Sequence, residues 1–129
     1  MAFETTQLGT GVDAIAPDGS EIRFLGQRAG GSFVHCTLPV GGVSLAVRHR
    51  QVEEIWYFLS GKGEVWRAQD DVEAVVPVGA GTALTIPAGA HFQFRNTGDV
   101  PLVLVLATMP PWPGAEEAVR VADYWETTP

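Results

Sequence analysis

Glu53-Glu54-Ile55-Trp56-Tyr57-Phe58-Leu59-Ser60-Gly61-Lys62-Gly63-Glu64-Val65-Trp66-Arg67-Ala68 decides the fold class of this chain. Its aromatic and β-branched residues favour extended backbone, and no sustained helical period runs through it. Ser60-Gly61-Lys62-Gly63 interrupts the run with glycines that accept positive φ. The stretch therefore reads as strands over residues 53–60 and 63–68 around a tight hairpin.

The same pattern continues on both sides. Runs rich in Val, Ile, Phe and Thr predict further strands near residues 20–26, 32–38, 43–49, 71–76, 82–86, 92–96 and 102–107. Pro17-Asp18-Gly19 marks a turn before the first of these, and Asn96-Thr97-Gly98-Asp99 reads as a second hairpin connection. Nine short strands with no room for crossover helices predict an all-β, antiparallel sandwich or barrel. Met109-Pro110-Pro111-Trp112-Pro113-Gly114 cannot extend a central strand, because its three prolines lack the backbone donor. Residues 115–119 are expected to make one helical turn. With no internal repeat and no boundary, residues 1–129 read as one domain, a core barrel over about 20–108 and a Pro/Trp-rich tail over 109–129.

Composition narrows the partners. Of the 129 residues 46% are apolar and 18% charged, which suits a folded globular domain. A net charge of −7 would repel phosphate backbones and anionic lipid, so neither nucleic acid nor membrane is expected as a partner. No apolar run approaches the ~20 residues that span a bilayer. The one cysteine, Cys36, excludes an intrachain disulfide, and residues 1–10 lack the basic start and apolar stretch of a signal peptide. A cytoplasmic location is the expectation.

Two spaced motifs carry a family resemblance. Gly41 is followed by five residues, Val47-Arg48-His49, four more residues, Glu54, six more, and Gly61. Downstream, Gly81, Pro87, Gly89 and Asn96 hold the spacing of a second motif. Together they resemble the two cupin motifs over roughly residues 30–107. Glu53-Glu54-Ile55-Trp56-Tyr57 and the Met109–Gly114 tail are similar to stretches of small single-domain bacterial cupins. The resemblance implies a double-stranded β-helix, a jelly-roll-like barrel, with a small-molecule pocket and a homodimeric assembly.

Cupins typically hold a divalent ion through two His and a Glu of the first motif and a His of the second. Only His49 and Glu54 match here: Val47 stands at the first His position and Phe92 at the last, with His91 one residue early. Successive strand residues face opposite sides, so His91 points away from the pocket unless a bulge re-aims it. If a metal is bound (iron, nickel, zinc or manganese), His49, Glu54 and His91 are its expected ligands, with Gln51 as a weak oxygen donor.

Alternation supplies a pocket without any metal. With His49 and Glu54 inward, Val47, Gln51, Trp56 and Phe58 share their side, as do Phe92 and Phe94. A mostly aromatic cavity with a few polar groups is the ordinary composition of a small-molecule site. His49 paired to Glu54 can act as a general base, or Glu54, walled by Trp56 and Phe58, can be the acid. Alternatively the two satisfy one another and are inert. Arg48, Arg50, Arg95 and Gln93 fall in the outward register, Cys36 reads as core, and Trp66 as core or interface. Trp112, Tyr124 and Trp125 load the tail with aromatic surface that packs across the barrel or a partner, or closes the pocket.

Three functions stay open at this level. One is a small-molecule-binding cupin catalysing an isomerisation, cyclisation or similar proton transfer with His49 and Glu54. Another is a metal-dependent dioxygenase or decarboxylase, and the last a non-catalytic ligand-binding module.

Overall fold

The computed structural model describes residues 3–128. Its strands are β1 (Ala14–Ile15), β2 (Glu21–Arg28), β3 (Gly31–Leu38), β4 (Val47–His49), β5 (Glu53–Ser60), β6 (Lys62–Gln69), β7 (Val72–Gly79), β8 (Ala83–Ile86), β9 (His91–Asn96), β10 (Leu102–Met109) and β11 (Ala118–Arg120). They form two antiparallel sheets, β1-β2-β3-β10-β5-β8 and β11-β4-β9-β6-β7. This is the double-stranded β-helix that the motifs implied.

The alternation of β5 shows why the sheets face one another. Glu54, Trp56 and Phe58 are buried while Ile55, Tyr57 and Leu59 are exposed, so every second residue enters the space between the sheets. Trp56, Phe58, Phe92, Phe94, Ile86, Leu102 and Leu104 form the centre of that core.

Two expected hairpins are not hairpins. β5 and β6 lie in different sheets, and so do β9 and β10. Gly61 (φ 87°) carries the chain from one sheet to the other, with its Cα side against the Pro101 carbonyl; a Cβ there would lie 2.6 Å from that oxygen. The same positive φ that serves a hairpin also serves a sheet-to-sheet corner, and burial of both inner faces selects the corner. True hairpins join β2 to β3 and β6 to β7.

The expected strand over residues 43–49 shrinks to Val47–His49, with Val43 in an isolated bridge to Arg95. The donors ahead of it are used elsewhere: Leu45 N–H bonds the Asp18 carbonyl and Ala46 N–H the Asp123 carboxylate. The helical turn covers Ala115–Glu117 only, because Ala118 and Val119 pair with β4 as β11. Among the described residues no helix is long and apolar enough to cross a membrane.

Candidate functional site

Between the sheets, at the end bounded by the β1–β2 turn and the C-terminal tail, lies a cavity of about 290 Å³. Four strands bring the key side chains to it. Val47 and His49 enter from β4, Glu54 and Trp56 from β5, Phe92 and Phe94 from β9, and Leu106 and Thr108 from β10. Val47 pairs with Phe92, and Glu54 with Thr108, so the register of each sheet sets their depth.

Glu54 is 6% exposed and His49 4%. Glu54 Oε1 accepts the Trp56 indole N–H at 2.8 Å. Burial pushes the Glu54 carboxyl up to about 8; the Trp56 donor opposes the rise and nearby Asp18 adds to it. The His49 ring sits edge-on to Phe92 and Trp112, with centroids 5.1 and 5.0 Å away. Burial pushes its imidazole down to about 4, against the Glu117 carboxylate and the Val52 backbone, which favour the cation. No bond of proper geometry reaches Nδ1, which is sealed inside the protein, so Nε2 is the nitrogen left to serve the cavity. At neutral pH the site therefore presents a neutral imidazole and a protonated carboxylic acid.

No hydrogen bond or ion pair joins His49 to Glu54. The expected orienting contact is absent, and so is the mutual satisfaction that would make the two inert. The reason is architectural: β4 and β5 belong to opposite sheets, and each side chain finds its own neighbours.

Other expected site residues separate clearly. Val47, Trp56, Phe92 and Phe94 line the cavity with His49 and Glu54. Phe58 does not; it is fully buried one step deeper, against Trp56. Gln51 is exposed, because the chain turns after β4 and the alternation stops. The turn is held by Glu117, whose carboxylate accepts the Gln51 and Val52 N–H groups at 2.6 and 2.8 Å. His91 faces out of the barrel, in register with Arg48 and Ala68, and no bulge interrupts β9 to re-aim it.

That geometry decides the fit of a divalent ion. Val47 and Phe92 have no donor atom, His91 lies on the other face, and no three His, Cys, Asp or Glu of the described residues converge. The residues present do not fit the four-ligand cupin metal centre, nor a three-ligand remnant of it.

Sequence reasoning missed a second polar corner. Asp18 and Ser20 line the cavity from the β1–β2 turn, and both are buried. Ser20 donates to Asp18 Oδ1 through Oγ (2.7 Å) and N–H (3.0 Å). This is the Asx-type bonding that the Pro17-Asp18-Gly19 turn signal implies. Nothing local shows that the turn packs inside the barrel; the Leu45 N–H on the Asp18 carbonyl holds it there. Burial pushes the Asp18 carboxyl up, and the Ser20 donors oppose it.

The tail closes its own barrel. Trp112, Ala115 and Ala118 line the cavity, and the Trp112 N–H donates to Ser32 Oγ at 3.2 Å. Farther on, Gln93 on the outer face uses its whole amide on the tail and its neighbour. Its Oε1 accepts the Tyr124 and Trp125 N–H groups, while Nε2 donates to the Ser44 and Trp125 carbonyls. Tyr124 stacks on Trp66 at 5.3 Å, and Arg95, bound to Glu64, lies 4.5 Å from the Trp125 ring centroid.

Comparison with known proteins follows this architecture. An uncharacterised protein of Methanocaldococcus jannaschii is 31% identical over 81 residues, 63% of this chain and 62% of that protein. The match thus spans under two thirds of that relative's length. A Bacillus halodurans protein of known crystal structure superposes with a TM-score of 0.67 at 24% identity, covering 84% of this chain and 80% of its own. The Streptomyces protein PAC13, solved with uridine, gives a TM-score of 0.69 at 16% identity over 92% of each chain. At these identities the two structures speak to the fold alone. The Cupin domain model matches residues 34–108, the segment that carries both motifs and about half of the cavity wall, and the chain belongs to the cupin family.

Proposed function

We propose that this chain is a one-domain, small-molecule-binding cupin that moves a proton within its ligand, with Glu54 as acid and His49 as base. One observation carries the reading: a buried carboxyl and a buried imidazole stand in the wall of one aromatic cavity without bonding each other. Glu54 delivers its proton to a ligand oxygen or nitrogen while His49 Nε2 removes one from a neighbouring position. The net change is an isomerisation or cyclisation, after which the two side chains exchange protons with solvent. Four aromatic rings, Trp56, Phe92, Phe94 and Trp112, keep water from competing for either group. A neighbour solved with uridine supports a small organic ligand over a macromolecular one.

Carboxyl and imidazole NMR titration tests this directly. The Glu54 carboxyl is expected to titrate near 8 and His49 to stay neutral down to about 4. A Glu54 already ionised at pH 6 would remove the acid and end this assignment.

For assembly we propose a homodimer. The outer face of β3-β10-β5 exposes Phe33, Ile55, Tyr57 and Leu59, whereas the opposite sheet is covered by the chain's own tail. Four strands of that sheet, β2, β3, β10 and β5, each eight residues long and ~4.8 Å apart, present a footprint on the order of 500 Å². That is more than half of the ~800 Å² per partner of a standard interface. A second copy of the same flat face complements it without a pocket or groove. The buried, reduced Cys36 is consistent with a cytoplasmic location.

A further inference from the structure

The charge inventory of the cavity is one-sided. Two carboxyl groups, Asp18 and Glu54, and the His49 imidazole stand in its wall, and among the described residues no Lys or Arg does. Three arginines from β2, the β4–β5 connection and the tail are engaged elsewhere: Arg23 bonds the Thr10 carbonyl, Arg50 the Glu116 carbonyl, and Arg120 the Asp123 carboxylate. Asp18 is 9% exposed; its Oδ1 takes both Ser20 donors, and Oδ2 receives none from the described residues. His49, 4% exposed, lines the same space. Buried polar groups are ordinarily satisfied, so this corner lacks a partner that the chain does not supply.

Resting on the small-molecule reading above, we infer that the cavity selects an organic amine, its ammonium on Asp18 and its apolar body among Trp56, Phe92, Phe94 and Trp112. The physical chemistry is complementary at both ends. An ammonium gives Asp18 Oδ2 the charge-assisted donor it lacks, and aromatic faces attract the same cation. A carboxylate or phosphate ligand would meet two carboxyl groups and no Lys or Arg cation. The volume suits one aromatic ring with a short chain, since ~150 Å³ already admits benzene.

Asp18 and Glu54 then divide the work. Burial disfavours charge on Asp18, but two Ser20 donors and the arriving ammonium favour its ionised form, while Glu54 has one donor, from Trp56. An ionised Asp18 opposes loss of the second proton from Glu54, as in any close carboxyl pair. The amine is held by one acid while the other keeps its proton for chemistry.

Three probes of one shape test the inference: 2-phenylethylamine, 2-phenylethanol and phenylacetate, titrated against intrinsic tryptophan fluorescence, which Trp56 and Trp112 report from the cavity wall. The amine is expected to bind on the order of ten-fold more tightly than either isostere, about 1.4 kcal/mol. Asp18→Asn, which keeps an oxygen for Ser20, should erase that preference and leave the alcohol unchanged. If the alcohol or the carboxylate binds as well as the amine, the charge assignment is overturned and the small-molecule reading stands. If none of the three perturbs the tryptophans at millimolar concentration, both fall. The wild-type comparison decides the matter even should Asp18→Asn fail to fold.

Discussion

Burial favours the neutral forms of both Glu54 and His49, and each shift leaves a mark on stability. The folded Glu54 keeps its proton up to about 8, whereas an unfolded Glu releases it near 4.5. Between those values the folded state binds the extra proton, so stability falls as pH rises. His49 works in the other direction, from about 4 to 6.5: the unfolded chain binds the proton there, and stability rises with pH. The two effects offset each other between 4.5 and 6.5, and Glu54 acts alone from 6.5 to 8. Across that upper interval the wild type should lose about 1.4 kcal/mol per pH unit relative to Glu54→Gln, which cannot ionise. Urea unfolding at several pH values measures the difference; parallel slopes for the two proteins would show that Glu54 is not buried as an acid. Trp56→Phe removes the donor on Oε1 and is expected to extend the interval upward.

Among elements, the C-terminal tail depends on two side chains that a strand pattern does not mark as anchors. Gln93 is fully buried because the tail covers it, and its amide makes four hydrogen bonds there. Gln93→Leu leaves two tail N–H groups and two carbonyls unpaired, at a cost of about 2–4 kcal/mol. The expected readout is faster amide exchange at Tyr124 and Trp125, with β6 and β9 still protected. Glu117 plays the corresponding part at the pocket, closing the β4–β5 connection through the Gln51 and Val52 N–H groups. Burial pushes its carboxyl up, but those donors prevail and hold it below the usual range. Glu117→Ala should cost about 2–3 kcal/mol in thermal or chemical unfolding, charged acceptors being worth more than neutral ones. A loss within a few tenths of that of a surface substitution would show that the connection holds without it.

At the scale of the whole molecule, one sheet is covered by the tail and the other presents Phe33, Ile55, Tyr57 and Leu59. Burying that face against a second copy brings together two chains of net charge −7, so their association should strengthen as salt screens the repulsion. Light scattering is expected to give a dimeric mass that Tyr57→Lys reduces to the monomer without lowering the melting temperature by more than a few degrees. A monomeric wild type at high concentration would leave this face without a second copy.

The local pattern determined much. Nine strands were legible because apolar and β-branched runs sit between Gly, Pro and Asn-rich breaks, and the two spaced motifs placed His49, Glu54, Val47, Trp56, Phe92 and Phe94 on inward positions. Strand periodicity is a property of neighbours two residues apart, so it survives in the one-dimensional string. Three features do not. Whether Gly61 turns a hairpin or a corner depends on which sheet buries each strand; Gln51 leaves the pocket because Glu117, 66 residues away, draws the β4–β5 backbone toward it. Asp18 becomes part of the cavity only because the segment ahead of β2 packs onto Leu45. Contacts between residues distant in the chain set burial, and burial sets the protonation of the groups in the cavity wall. Residue order alone thus named the pair at positions 49 and 54, and the folded enclosure chose which of them carries the proton.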